Sequence, residues 1–151
     1  MTLLGAFAII FDEQGQVLLG HRRDMDLWNL PGGRVEAGEM PDQGIVREVL
    51  EETGLEVRVE KLVGIYGKED RDELIFLFRC TITGGKLRQH TSETDANRYF
   101  PPAALPVNLI PKHRERILDA LADHPHPIFR RQSGPDARTF LLSLRKGEGS
   151  K

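Results

Sequence analysis

Apolar residues form two short runs at the start of the chain. The runs "LLGAFAIIF" (3–11) and "QVLLGHR" (16–22) flank the polar stretch "DEQGQ", whose glycine allows the backbone to reverse. Short apolar runs around a glycine turn are typical of two strands that pair with each other. We therefore expect the chain to begin with a β-hairpin.

A glycine-rich segment and then a helical pattern follow. The segment "LWNLPGGRVEAGE" (27–39) reads as a loop, because its glycines and proline favour turns. Pro41 is tolerated in the first turn of a helix, Asp42 favours the positive end of the helix dipole, and Gly54 is placed to stop it. These signals predict a helix from Pro41 to Thr53.

Three further runs read as strands. Two are long and rich in β-branched and aromatic residues, namely "LEVRVEKLVGIYG" (55–67) and "ELIFLFRCTITGG" (73–85). The third, "NRYF" (97–100), is short. The pattern therefore predicts a sheet with several strands in addition to the first hairpin.

The last third of the chain combines a helical pattern with a second turn signal. In "IPKHRERILDALADH" (110–124), the apolar residues Ile117, Leu118 and Leu121 recur with helical spacing. The tail 127–145 carries apolar residues on both sides of "SGPD", a turn signal, and so predicts a second hairpin.

Composition and charge exclude several classes of function. The 151 residues suit one domain, and 21 basic against 23 acidic residues give a net charge of −2. We therefore expect no binding to duplex DNA or RNA, which calls for a basic excess. The N-terminal apolar run lacks a basic flank and is too short to span a bilayer, so we expect no membrane association. A single Cys80 within an apolar run indicates a buried thiol and fits a reducing cytoplasm.

The predicted central helix has an acidic face. At about 100° per residue, five residues fall in one packing arc: Ile45, Val46, Val49, Leu50 and Thr53. Glu48, Glu51 and Glu52 fall in the adjoining arc. A solvated helix face is one interpretation. However, carboxylates at this spacing repel one another, and the helix C-terminus disfavours anions. Arg47 can neutralise one carboxylate, and a hard divalent cation such as Mg²⁺ or Mn²⁺ would neutralise several.

The same residues carry a resemblance to a known family. Gly33, five further residues, Glu39, seven further residues and then the run "REVLEETGL" (47–55) resemble the signature of the Nudix hydrolases without a mismatch. The resemblance extends roughly over 4–122, through the lead-in "LWNLPGG" and the downstream segment "SETDANRYFPPAALP". This chain departs from the common pattern at Gly44 and Ile45, where alanines are frequent, and at Ala96, where an acidic residue is frequent.

The resemblance implies a fold and a chemistry. The fold would be α/β, a Nudix-like α/β/α sandwich with a mixed β-sheet between helices, in a single domain over 1–151 with a hairpin-like extension at about 127–145. The reaction would be the metal-assisted hydrolysis of a diphosphate bond in a nucleoside diphosphate derivative such as ADP-ribose, a nucleotide sugar or a nucleoside triphosphate. Mg²⁺ or Mn²⁺ would be the cofactor. The alternatives are an RNA 5′-end pyrophosphohydrolase, which calls for a basic approach surface, and a non-catalytic nucleotide sensor, against which the intact signature argues.

The resemblance also assigns roles to residues. It implies that the metal ligands are Glu48, Glu51, Glu52 and the backbone carbonyl of Gly33. Glu39 and Arg47 would orient the loop against the helix. The general base would be Glu93, or else Glu52 or Glu48 beside the metal, because a base is identified by its reach to the attacking water.

Candidate substrate contacts have an ordinary structural interpretation beside the functional one. Arg22 and Arg23 follow a strand and are suited to contact phosphate, although exposed arginines without a ligand are equally common. Trp28 or Phe7 could stack on a base, although an aromatic residue beside an apolar strand more often belongs to the core. The apolar residues of the tail must be covered, either by a second copy in a homodimer or by their own domain. They are Ile128, Phe129, Phe140, Leu141, Leu142 and Leu144.

Overall fold

The computed structural model describes residues 1–149. Its strands are β1 (Leu3–Ile10), β2 (Val17–Arg22), β3 (Trp28–Asn29), β4 (Gly32–Arg34), β5 (Leu55–Lys68), β6 (Arg71–Gly85), β7 (Thr94–Phe100) and β8 (Ile128–Gln132). Its helices are α1 (Pro41–Thr53), α2 (Pro111–Ala122) and α3 (Ala137–Gly149), with one 3₁₀ turn at Pro102–Ala104. Within residues 1–149, no helix is long and apolar enough to cross a membrane.

The strands form two sheets. The larger sheet has the order β4-β1-β6-β5-β8 and is mixed, because β1 runs parallel to β6 and β5 parallel to β8, while the β1–β4 and β5–β6 pairs are antiparallel. The smaller sheet, β3-β2-β7, is antiparallel.

The first two strands form where predicted, but they do not pair as a hairpin. β1 joins the larger sheet and β2 the smaller one, and only the bridge between Phe11 and Val17 links the two at the turn. The carboxylate of Asp12 accepts hydrogen bonds from the backbone N–H groups of Gln14 and Gln16. The turn is thus stabilised locally, and the strands beyond it separate to other partners.

The core fills both faces of the larger sheet. On one face, Ile9 of β1 and Leu77 of β6 pack in one cluster with Ile117 of α2. On the other face, Ala8 and Ile10 of β1 pack with residues of α1. Alternation along each strand sends neighbouring side chains to opposite faces. The chain therefore has the predicted α/β class, with a mixed sheet between helices.

Helix α1 has the predicted bounds. Gly54 ends the helix in the left-handed conformation (φ 81°) and donates its N–H to the Leu50 carbonyl. A Cβ on Gly54 would overlap the Lys86 carbonyl oxygen. The predicted packing arc was too wide, since Val46 and Leu50 are exposed. The buried stripe consists of Gly44, Ile45, Val49 and Thr53.

Helix α2 forms within the predicted range, but of the three apolar residues of the pattern only Ile117 is buried. Leu118 and Leu121 are exposed, whereas the polar residues His113, Arg116 and Asp119 are buried. Hydrophobic spacing does not reveal a helix face that buries polar groups.

The prediction of a hairpin in the tail is wrong. β8 pairs in parallel with β5, and residues 137–149 form α3. The turn signal "SGPD" lies directly before this helix, and its Asp136 carboxylate accepts a hydrogen bond from the Thr139 N–H at 2.7 Å. This is an N-terminal helix cap.

Candidate active site

Arg47 ties the loop before α1 to the acidic face of the helix. Its Nε and Nη2 atoms donate to the two carboxylate oxygens of Glu39 at 2.8 and 3.0 Å, and Nη2 also reaches the Arg34 carbonyl. Its Nη1 atom donates to Glu48 and Glu51 at 3.1 and 3.2 Å. A bidentate guanidinium–carboxylate pair has a fixed geometry. The Arg47 contact therefore holds the loop in register with the helix.

Glycines allow the loop to lie close to these carboxylates. A Cβ on Gly33 would lie 2.9 Å from the Glu48 carboxyl carbon, and one on Gly44 would lie 2.9 Å from Glu39 Oε1. The departure from the family pattern at Gly44 thus coincides with close packing of the Glu39 carboxylate on the helix.

Three carboxylates converge at the end of α1. Glu48, Glu52 and Glu93 each offer an oxygen within 4.8 Å of the others. Glu48 and Glu52 are one helical turn apart, and Glu93 comes from the segment directly before β7. Glu51 lies outside this group of three; its side chain is 56% exposed and contacts Arg47. The sequence predicted a cluster of Glu48, Glu51 and Glu52. In the structure, Glu93 from a distant segment takes the place of Glu51 in that cluster.

Glu52 is held at the inner wall of the site. Its Oε2 accepts the Gly32 N–H at 2.9 Å, and its backbone carbonyl accepts hydrogen bonds from Thr94 Oγ1 and Asn97 Nδ2. Burial raises the pKa of the Glu52 carboxyl to about 8, and the negative charges of Glu48 and Glu93 act in the same direction. Burial likewise raises the pKa of Glu48, although the contact with Arg47 opposes this effect.

These residues fit a hard divalent cation. The three convergent groups are carboxylates, the ligand type that Mg²⁺ and Mn²⁺ prefer. A cation bound between Glu48 and Glu52 would counteract the effect of burial on their pKa values, because a positive charge favours the ionised forms of both carboxyls.

The segment that carries Glu93 is fixed by its backbone. Arg23 donates its N–H to the Glu93 carbonyl at 3.4 Å and its Nε to the Thr91 carbonyl at 2.7 Å. Thr91 and Thr94 are joined by their hydroxyl groups at 2.6 Å. The Glu93 side chain is exposed, so it can move on a fixed backbone.

A cleft of about 370 Å³ opens beside the carboxylates, and Glu52 and Glu93 are part of its wall. Arg22 and Arg23 also line it, as the sequence suggested for substrate contacts. Arg22 is already paired, because its Nε and Nη2 donate to the Asp24 carboxylate at 2.8 and 2.7 Å. A phosphate would therefore compete with Asp24 for this guanidinium.

Trp28 and Phe7 do not line this cleft. Trp28 belongs to the buried core, where its ring meets His21 and Phe100 edge-on. The stacking role that the sequence allowed for Trp28 therefore gives way to the core interpretation. Phe7 packs beside the core against His113 and the guanidinium of Arg116.

Two polar residues of β7 were missed by the sequence analysis. Thr94 and Asn97 line the cleft and hold the Glu52 carbonyl. Both are buried polar residues in a stretch where only "NRYF" was recognised as a strand. A buried Asn near a functional segment was the available signal, because such a residue must find hydrogen-bond partners.

Comparisons with known proteins agree with this geometry. A family model described as the NUDIX domain matches residues 1–122. A putative 8-oxo-dGTP diphosphatase from Bacillus subtilis is 38% identical over 119 residues, which cover 79% of this chain and 80% of that protein. The crystal structure of an ADP-ribose pyrophosphatase from Streptococcus suis is 28% identical, with a TM-score of 0.71, covering 87% of this chain and all of that one. A UDP-X diphosphatase structure is 25% identical, with a TM-score of 0.75, covering 86% of this chain and 67% of that one.

Proposed function

The chain belongs to the Nudix hydrolase family and is a pyrophosphohydrolase, and from this premise we propose that it cleaves a diphosphate bond in a small nucleoside diphosphate derivative with the aid of Mg²⁺ or Mn²⁺. ADP-ribose, a nucleotide sugar or a nucleoside triphosphate is the proposed substrate. The observation that carries the proposal is the convergence of Glu48, Glu52 and Glu93 beside the cleft.

The metal would be held by Glu48, Glu52 and Glu93, with the Gly33 carbonyl and Glu51 as further candidates. When bound, it would offset the charge that develops on the phosphate oxygens and acidify a water molecule. The remaining work falls to residues of the chain. Gly32 fixes the Glu52 carboxylate, and Arg47 fixes Glu48 relative to the loop.

A general base must accept the proton of the attacking water. Glu93 is one candidate, because its exposed side chain can adjust to the water while its backbone stays in place. Glu52 or Glu48 is the other, because a carboxyl whose pKa is raised by burial holds a proton more readily. The two assignments predict different variant behaviour, described in the Discussion.

A hydrolysis screen tests the proposed function. The full chain would be incubated with Mg²⁺ or Mn²⁺ and with nucleotide sugars, ADP-ribose, dinucleoside polyphosphates, nucleoside triphosphates and triphosphorylated RNA, and the products identified by mass. We expect cleavage at a diphosphate bond of a small nucleotide. Cleavage of RNA ends alone would favour the RNA pyrophosphohydrolase alternative. Tight nucleotide binding without any cleavage would favour the sensor alternative.

The setting of the enzyme is also a proposal. Cys80 is buried, and burial raises the pKa of its thiol to about 12, so the thiol is unreactive. A free buried cysteine fits a cytoplasmic protein.

We also propose that the chain forms a homodimer through its tail.

A further inference from the structure

A second cavity adjoins the carboxylate-bearing cleft, and its wall carries an excess of positive charge. It has a volume of about 420 Å³ and shares Arg22 and Asn29 with the cleft wall. Six cationic side chains line it: Arg22, Lys68, Arg71, Lys112, Arg116 and Arg138. Only two lining residues within the described chain, Asp70 and Asp136, carry carboxylates.

Arg116 is the buried cation of this cavity. Its side chain is 1% exposed, and its Nη1 atom has no hydrogen-bond partner among the described residues. Its Nε donates to the neutral Gln132 amide at 3.1 Å, and its guanidinium lies 5.1 Å from the Phe7 ring and 5.6 Å from the Tyr66 ring. Aromatic rings offset part of the burial penalty, but they do not satisfy an N–H donor.

Nearby carboxylates are engaged elsewhere. Asp119, on the same helix, accepts hydrogen bonds from Tyr66 and Arg130. Glu73 pairs with Lys68 at 3.3 Å. The guanidinium of Arg116 therefore stays without an anionic partner among the described side chains, which end at residue 147, although burying an unpaired cation is costly.

An anion would complete this arrangement. Excess positive charge in a partly enclosed cavity attracts anionic groups, and a guanidinium suits phosphate oxygens. Arg22 and Lys68 are already paired with Asp24 and Glu73. A neutral acceptor edge, such as that of guanine, could satisfy Nη1 but would leave the excess of cations over carboxylates in the rest of the wall uncompensated. The charges therefore favour a phosphate over a base edge.

We propose that this cavity binds a second phosphate of the substrate, separate from the scissile diphosphate, and that Arg116 is the residue that selects for it. Because the cavity and the cleft share Arg22 and Asn29, one ligand can place its diphosphate at the carboxylates and its second phosphate at Arg116. This inference deepens the proposed hydrolysis and rests on it. The substrate class becomes a nucleoside diphosphate derivative that carries a further phosphate monoester.

Matched ligand pairs test the proposal by binding, without the need for turnover. NADP⁺ and NAD⁺ differ by a 2′-phosphate, and coenzyme A and dephospho-coenzyme A differ by a 3′-phosphate. Calorimetry in Mg²⁺ with the full chain carrying Glu52→Gln, a substitution expected to slow cleavage of the ligand, gives the dissociation constants. We expect the phosphorylated member of at least one pair to bind about tenfold more tightly or better. Equal affinities within both pairs would overturn the proposal.

Variants then test the assignment to Arg116. Arg116→Met keeps an unbranched aliphatic side chain but removes the guanidinium, and it should abolish the discrimination, whereas Arg58→Met at an exposed position on β5 should retain it. If Arg116→Met does not fold, the double variant Lys112→Ala, Arg138→Ala at the same cavity should reduce the discrimination in its place. Discrimination that survives in folded Arg116→Met, or in the double variant, would overturn the assignment.

Two further outcomes separate this inference from the proposed function. Discrimination in binding together with no hydrolysis of any nucleotide supports the phosphate site while contradicting the hydrolase proposal. A preference for GDP-linked over ADP-linked ligands without any effect of the extra phosphate would show that the cavity binds a base edge, and would overturn the inference.

Discussion

Glu51 and Glu52 are adjacent in the sequence, but they lie in different surroundings. Glu52 is half-buried at the cleft and accepts the Gly32 N–H, whereas Glu51 is 56% exposed and contacts only Arg47 among the described residues. We predict that Glu52→Gln lowers kcat by about 10²-fold or more, because it removes a charge from the three-carboxylate group. Glu51→Gln, which breaks an exposed ion pair, should cost about tenfold or less.

The comparison needs kcat at saturating Mg²⁺ on the substrate found by the screen. Circular dichroism and thermal unfolding of both variants serve as the control for folding. Equal losses in the two variants would contradict the assignment of Glu52, rather than Glu51, to the group that converges with Glu93.

Glu93 provides a second test at the residue scale. If Glu93 accepts the proton of the attacking water, Glu93→Gln should lower kcat by about 10²-fold and leave the affinity for Mg²⁺ nearly unchanged. Loss of both rate and metal affinity would make Glu93 a ligand. An unchanged rate would remove it from the mechanism and leave Glu52 or Glu48 as the base. Rates over a range of Mg²⁺ concentrations separate these outcomes.

The sequence predicted the helix residues of the site better than their partners. The family signature fixes the spacing of Glu39, Arg47 and Glu48, and these residues meet in the structure as local neighbours. Arg116 was not identified, because its importance comes from burial, and a cation in a helical pattern normally faces water. For Trp28 the sequence favours the core over stacking on a base, but it does not give the direction of the ring.

At the scale of elements, local signals were reliable where they agreed. Helix α1 begins at Pro41 and ends before Gly54, as predicted, because each of these residues restricts or permits the backbone conformation at its own position. In the tail, "SGPD" was interpreted as a hairpin turn, although Asp136 caps α3. Leu144 follows Leu141 by three positions and Phe140 by four, which is the apolar spacing of a helix. The turn signal led to the hairpin interpretation in spite of this spacing.

The contact between α2 and the loop before β4 makes stability depend on pH. His113 is buried, and its Nδ1 accepts the Leu30 N–H at 2.9 Å. Burial holds its pKa well below the usual 6.5, and the positive charges of Arg116 and Lys68 act in the same direction. The unfolded chain therefore takes up a proton near pH 6.5 while the folded chain does not, so this contribution to stability is lost as the pH falls below that value.

We predict that acidification below pH 6.5 lowers the free energy of unfolding through His113 by up to about 1.4 kcal/mol per pH unit, until the folded pKa is reached. His113→Asn keeps an acceptor and cannot titrate, so its stability should depend less on pH. Urea unfolding of both proteins at pH 7.5 and 5.5 measures the difference. Burial lowers the pKa of His21, but its hydrogen bonds to Asp26 and Asp95 outweigh this effect and raise the pKa. His21 is present in both proteins, so its contribution to the pH dependence cancels in the comparison. The same slope in both proteins would contradict the assignment.

At the scale of the molecule, strand pairing was the part that the sequence could not predict. β1 and β6 are parallel partners with about sixty residues between them, and nothing in either run identifies the other. The placement of Glu93 depends on such pairings, because β7 pairs with β2 and carries Glu93 toward the end of α1. Local pattern thus predicts elements, whereas long-range pairing brings the functional residues together.

The proposed homodimer is the remaining prediction at this scale. Phe129 is 78% exposed on β8, which pairs only with β5 in its sheet and is an edge strand. An exposed aromatic residue on an open edge is suited to a contact between two copies, because the contact would bury apolar area and pair free backbone groups. A closed twofold contact would also bring Leu142 of the tail within reach of burial, as it is exposed on α3.

We therefore expect the full chain to sediment as a dimer at micromolar concentration, and Phe129→Asp to sediment as a monomer, because a charge would have to be buried at the contact. This substitution leaves the β5–β8 pairing in place, unlike truncation of the tail. Val107→Asp is a matched control, since Val107 is 77% exposed and lies outside the tail. A monomeric full chain would contradict the homodimer, and a dimer unaffected by Phe129→Asp would contradict the placement of its contact at Phe129 on β8.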